Sequence, residues 1–165
     1  MSLSNYTRTT IVLCSAALIA SCGFRLQGTA AYPESMANTY IAAEDRFTPF
    51  YRKLIVTLEQ GDVNVTSSPI DADAVIRIEE DDSGERVLTI SGRNLPTEYN
   101  AYYSVRYSVW INGAQVGKTR NLSARQDYNY DSTQVLGKAR ESEQLQDALA
   151  DRLVARVSRE LSSID

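Results

Sequence analysis

The stretch Tyr99-Asn100-Ala101-Tyr102-Tyr103-Ser104-Val105-Arg106-Tyr107-Ser108-Val109-Trp110-Ile111-Asn112-Gly113 decides the architecture. Its odd-numbered members Tyr99, Ala101, Tyr103, Val105, Tyr107, Val109 and Ile111 are unbroken in apolar or aromatic character. Between them stand Asn100, Tyr102, Ser104, Arg106, Ser108 and Trp110. Side chains alternate across a strand, so this is one long strand with one face toward a core and a more polar face opposite. Asn112-Gly113 supplies the residues that a tight hairpin turn needs, and residues 114–125 read as the return strand. A two-residue loop opposes Val105 to Arg120 and Tyr107 to Lys118, which puts two cations on the core face. A three-residue loop turns Val116 and Leu122 outward instead. Either the return strand is an edge guarded by its charges, or those cations line a ligand site.

Working outward, residues 74–80 and 86–91 are β-branched runs joined by Asp81-Asp82-Ser83-Gly84, which reads as a turn or a bulge. Phe24–Gln27 and Thr39–Ala42 are short candidate strands, and Val63-Asn64-Val65 is a short extended piece. Phe47, Phe50, Tyr51, Leu54, Ile55 and Leu58 recur at helical spacing, with Pro49 in the first turn and Gly61 as a stop. They predict a helix from about 46–49 to 60 with an aromatic stripe in the core. Asp131 or Ser132 can cap a final helix in which Leu145, Leu149, Leu153, Val157 and Leu161 fall every four residues. Its acids lead and its arginines follow, as the helix dipole favours. The expected fold is α+β: a two-layer sandwich with Tyr103, Val105, Tyr107 and Val109 beneath Leu149, Leu153 and Val157.

At the N-terminus, Arg8 is the one side-chain charge in residues 1–10, and Ile11–Ala20 is an uninterrupted run of small and apolar residues. This is the pattern of a secretory signal, and the run is half the roughly 20 residues of a spanning helix. Leu18-Ile19-Ala20-Ser21-Cys22 resembles a bacterial lipobox. The expectation is that residues 1–21 are removed and that Cys22 carries diacylglycerol and an N-acyl chain at the head of a single domain, 22–165. Gly23 follows where Asp would resemble an inner-membrane retention signal, so the expected location is the periplasmic face of the outer membrane. Cys14 leaves with the signal and Cys22 is blocked, so no disulfide is available to the mature chain. The chain has no histidine. It therefore builds neither a Ser–His–Asp nor a Cys–His centre and lacks the usual zinc ligands. No enzyme and no cofactor beyond the covalent lipid are expected. Glu79 and Glu80 could be offered as a catalytic carboxylate pair, but adjacent strand residues point to opposite faces, and Glu79–Asp82 reads better as a solvated turn.

Charge is uneven. Residues 86–140 hold eight basic side chains (Arg86, Arg93, Arg106, Lys118, Arg120, Arg125, Lys138, Arg140) against Glu98, Asp127 and Asp131, a local balance of +5 in a chain of net charge −4. Two readings fit: a surface for an anionic partner, or solvated strand faces decorated with Arg and Lys.

Three features stand in order along the chain. Cys22-Gly23-Phe24-Arg25-Leu26 opens the mature part, and Glu98-Tyr99 opens the alternating strand before Asn112-Gly113. A tyrosine-rich segment (Tyr128, Tyr130), Leu136-Gly137-Lys138 and the amphipathic helix then follow. Together they resemble the bacterial lipopolysaccharide-assembly lipoprotein family LptE over essentially the whole mature chain, departing mainly in the loop before Glu98. The resemblance implies two helices on a mixed sheet of four to five strands and a non-catalytic role. It implies a plug inside the outer-membrane barrel LptD that assists the barrel's assembly and binds lipopolysaccharide on its way to the surface. It also implies lipopolysaccharide contact by Lys138, which corresponds to the family's lysine, and by Arg93, which stands near the family's basic position. Arg120, Arg125 and Arg140 are expected to contribute. Tyr102 and Trp110 are candidates to face the barrel, or to pack against a second layer. The alternative is an outer-membrane lipoprotein adaptor of another envelope assembly or transport machine, without a lipopolysaccharide site.

Overall fold

The computed structural model describes residues 31–129 and 135–164, with backbone alone for 135–139. In chain order these form β1 (Asn38–Ala42), α1 (Pro49–Gln60), β2 (Asn64–Thr66), β3 (Ala74–Ile90), β4 (Pro96–Ile111), β5 (Ala114–Asn129) and α2 (Val135–Leu161). The five strands make one sheet in the order β2-β1-β3-β4-β5. The β2-β1-β3 half is parallel and the β3-β4-β5 half antiparallel. Both helices lie on one face, which gives the expected two-layer α+β architecture. The expected strand Phe24–Gln27 and the expected caps Asp131 and Ser132 lie outside the described residues.

α1 begins where the sequence puts its start signals. Thr48 caps it by accepting the Tyr51 N–H at 3.1 Å, and Pro49 holds the first helical position. Phe50, Leu54 and Leu58 are fully buried. Phe47, expected in the same stripe, precedes the cap and is 85% exposed; with the helix starting at Pro49, its side chain is not on the helix at all. α2 stacks Leu149, Leu153, Val157 and Leu161 on the sheet, and Tyr32 closes its far end with an Oη–Ser158 Oγ hydrogen bond of 2.7 Å.

β4 has the expected parity: Ala101, Tyr103, Val105, Tyr107 and Val109 are buried under the helices. Its long alternation supplies partners for β3 throughout, so Asp81-Asp82-Ser83-Gly84 does not turn. Those residues stay extended, with Asp81 opposite Val105 and Ser83 opposite Tyr103. The irregularity lies earlier, between Ile78 and Glu80, where Glu79 is the extra residue of a bulge.

The hairpin resolves into neither expected register. Asn112 (φ 51°) and Gly113 (φ 79°) make a two-residue loop closed by the Ile111–Ala114 pair. Val109 then opposes Val116, but Tyr107 opposes Arg120. Residues 117–119 are taken up against Ser108 alone, in a bulge opened by Gly117 at φ 71°. Val116 and Leu122 therefore both face the helices, and Lys118 leaves the ladder. β5 is an outer strand of the sheet.

Burial ends well before the strands do. The last buried residue along β3 is Ile78, the first along β4 is Ala101, and the last along β5 is Leu122. Beyond them the sheet runs on as an arm ending in the loop 91–95. There Ser91 N–H donates to Leu95 O at 2.8 Å, and Asn94 takes a positive φ of 59°.

Candidate functional site

Among the described residues no helix covers the second face of the antiparallel half-sheet, so Tyr102 and Trp110 pack against no second layer there. Trp110 is instead the start of a polar ladder along that face. Its Nε1–H donates to Ser108 Oγ at 3.2 Å, and Ser108 donates to Glu79 Oε1 at 3.0 Å. Arg106 then bridges Glu79 Oε2 at 3.3 Å and Glu80 Oε2 at 2.8 Å. The Arg77 guanidinium lies 4.2 Å over the Trp110 ring. The bulge at Glu79 cancels the strand alternation, so Glu79 and Glu80 share a face, contrary to the sequence expectation. Both serve one arginine.

Tyr102 lies across Gly84. A Cβ at residue 84 would stand 2.9 Å from the Tyr102 oxygen, so only glycine lets the ring rest on β3 at this point. Arg86 stacks over the same ring at 4.6 Å. Arg125, cross-strand neighbour of Tyr102, joins Arg86, Leu88, Asn100 and Asp127 around a shallow depression on the arm. Asn100 donates to the Asp127 carboxylate, which occupies that acid.

The basic residues expected at a common site are distributed as follows. Arg125 is in the depression, and Arg93 is exposed in the loop at the arm's end. Arg140 is exposed near the start of α2. That helix starts on the arm side, because β5 ends at Asn129, opposite Glu98, and α2 resumes at Val135. Lys138 belongs to the same turns of α2, and its side chain lies outside the description. Arg120 stands apart at the other end of the sheet. It faces Tyr107 and reaches Glu160 at 3.5 Å; Glu160 also accepts from Tyr107 Oη at 2.7 Å and pairs with Arg156 at 3.4 Å. Burial, and then the Glu160 carboxylate, push the Tyr107 phenol well above its usual range. Among the described residues no carboxylate pairs with Arg86, Arg93, Arg125 or Arg140.

The sequence reading did not single out the aliphatic side chains at the arm's end. Val87 (47%), Leu88 (51%), Ile90 (57%) and Leu95 (49%) are all exposed. Their β-branched and leucine-rich composition signals a strand; nothing in it signals that the strand has run past the buried core.

A second polar cluster underlies the start of α1. Thr48 Oγ1–H donates to Asp81 Oδ2 at 2.6 Å, and Phe50 N–H donates to Tyr103 Oη at 3.2 Å. Burial raises the Asp81 carboxyl above its usual range, and Asp45 and Asp82 add to the rise against its hydrogen bonds.

The domain is thus two-layered, with one covered sheet face, an open polar face and an arm that carries Arg86, Arg93 and Arg125. Among the described residues no cluster of His, Cys, Asp or Glu could hold a metal ion. The chain belongs to the LptE family, described as lipopolysaccharide-assembly, whose model matches residues 36–161. It is similar in structure to a minor lipoprotein from Acinetobacter baumannii (TM-score 0.64, 22% identity, covering 78% of this chain and 92% of that one). It is also similar to lipoprotein B from Nitrosomonas europaea (0.71, 21%, 86% and 91%), and to the rare lipoprotein B from Shewanella oneidensis (0.66, 21%, 76% and 94%). At these identities the likeness establishes the fold. No curated protein matches the chain. No helix among the described residues is long and apolar enough to cross a membrane.

Proposed function

We propose that the chain is an outer-membrane lipoprotein, anchored through Cys22, that assists assembly of the LptD barrel, plugs it, and binds lipopolysaccharide during delivery to the cell surface. Family membership supports the role, and the observation that carries the binding is the arm, with Arg86, Arg93, Arg125 and Arg140 at one end of the molecule and no carboxylate paired to them among the described residues. Lipid A presents phosphates, which guanidinium and ammonium groups bind by charge-assisted hydrogen bonds. Lys138, close in sequence to Arg140, is the fifth member. Arg120 is engaged with Glu160 and is left out of the site. A barrel lumen is polar, and the open sheet face suits it: Trp110 and Tyr102 lie there under arginines, in a surface of Ser, Asn, Arg and Glu.

The test uses the mature lipoprotein in mild detergent. Arg93→Asp with Lys138→Asp should weaken lipopolysaccharide binding, each lost charged contact costing about 1.5–3 kcal/mol, and less at high salt. Co-purification with a very large β-barrel should survive. Undiminished binding at low salt would remove lipopolysaccharide from the proposal and leave the adaptor reading.

A further inference from the structure

We infer that the end of the β3–β4 arm is an acyl-chain-binding wedge, which holds hydrocarbon while the neighbouring arginines hold phosphate. This rests on the lipopolysaccharide reading for the identity of the ligand, and adds the half of the site that charge does not supply.

Four of the seven exposed large hydrophobic residues among the described ones, Val87, Leu88, Ile90 and Leu95, fall within residues 87–95. Single exposed aliphatics need no explanation, but a cluster does. Register shifts between Val87 and Thr89 and between Thr89 and Ile90 break the alternation at this point. Before the first shift ordinary alternation holds and puts apolar side chains on both faces: Val87, opposite Tyr99, on the helix side, and Leu88, beside Arg86 and Arg125, on the open side. Among the described residues β5 ends at Asn129, opposite Glu98, and the short stretch of arm beyond that pair, from Ile90 round to Pro96, is two strands wide. A flat protein partner would cover one face of such a ribbon. An arm with aliphatics on both faces, Val87 and Leu88, and a two-stranded tip carrying Ile90 and Leu95 is instead shaped to enter between flexible chains.

The surrounding charge selects an anionic amphiphile. Arg86, Arg125 and Arg93 flank the aliphatics; of the acids at this end, Glu98 accepts from Thr89 Oγ1 at 2.8 Å and Asp127 from Asn100. Guanidinium and hydrocarbon side by side match a phosphorylated headgroup carrying acyl chains.

The experiment uses the mature lipoprotein and its Leu88→Ser/Ile90→Ser variant, with two probes: intact lipid A and its fully deacylated bisphosphorylated disaccharide. The variant should bind intact lipid A roughly tenfold more weakly, as expected from the loss of aliphatic contact. It should bind the deacylated sugar as wild type does and keep the wild-type melting temperature, since both sites are on the surface. Equal weakening toward both probes, or toward neither, overturns the wedge. Wild-type binding of neither probe is a failure of the lipopolysaccharide reading instead. A polarity-sensitive dye on Leu95→Cys, mixed with anionic phospholipid vesicles, then decides the wedge separately: a blue shift of the emission supports it, and an unmoved spectrum overturns it.

Discussion

Val105→Asp tests the fold at its centre. Val105 is 0% exposed and sits directly across the ladder from Asp81 and Leu122, on the face that the helices cover. Removing the valine forfeits about 1.5–3 kcal/mol of apolar burial. The new carboxyl is buried next to one whose own ionisation burial already disfavours, so it folds only as the neutral acid. Protonating an ordinary aspartate costs about 4 kcal/mol at pH 7 and about 1.5 kcal/mol at pH 5. The total at neutral pH, roughly 6 kcal/mol, lies within the 5–15 kcal/mol that hold an ordinary domain together. The variant should therefore be largely unfolded or barely stable at pH 7. Because the introduced group has a raised folded pKa, its cost shrinks as pH falls, and at pH 5 roughly 2–3 kcal/mol should return relative to wild type. Urea unfolding followed by circular dichroism at the two pH values measures both quantities. A soluble variant with the wild-type midpoint at pH 7 would refute the parity of β4 and with it the two-layer packing.

Asp81→Asn keeps an acceptor for Thr48 but cannot ionise. Since the folded Asp81 pKa is raised, its contribution to wild-type stability is full below the unfolded value of 3.8 and is lost as pH rises through the folded one. Wild type should gain on the variant as pH falls from 7 to 4, and urea midpoints that keep a constant gap would contradict this. Cys22→Ser should abolish acylation, seen as the loss of the lipid mass, and release the chain from membranes, because stable anchoring takes more than one acyl chain; unchanged fractionation and mass would exclude the anchor.

The parity of β4, the Asn112-Gly113 turn and the Thr48-Pro49 start of α1 were legible because each is set by residues within one strand or one turn. The bulges at Glu79 and at 117–119 were not. They are compromises between distant strands, and neither stretch shows which partner it must meet. That is why a two-residue loop looked bound to set Arg120 against Val105 and Lys118 against Tyr107, and why Glu79 and Glu80 looked opposed. The candidate site follows the same division. Residue types that suit an anionic ligand stand out in the sequence, but the register divides them, sending Arg120 to Glu160 and Arg125 to Arg86. The exposure of Leu88 and Ile90 depends on how far the strands run past the buried core, which no local pattern records.

The offset in β5 also constrains how this region can evolve. Between the Val109–Val116 and Tyr107–Arg120 pairs, β4 advances by two residues while β5 advances by four. An even excess returns every later side chain of β5 to its own face. A lineage could lose two residues around Gly117 and still present Leu122 and Ala124 to the helices and Arg125 to the open side. Losing one would turn Arg125 into the core and Leu122 out to solvent, inverting the rest of the strand. Length change here is therefore tolerated in pairs and purged singly, a parity rule on insertions and deletions written into one bulge.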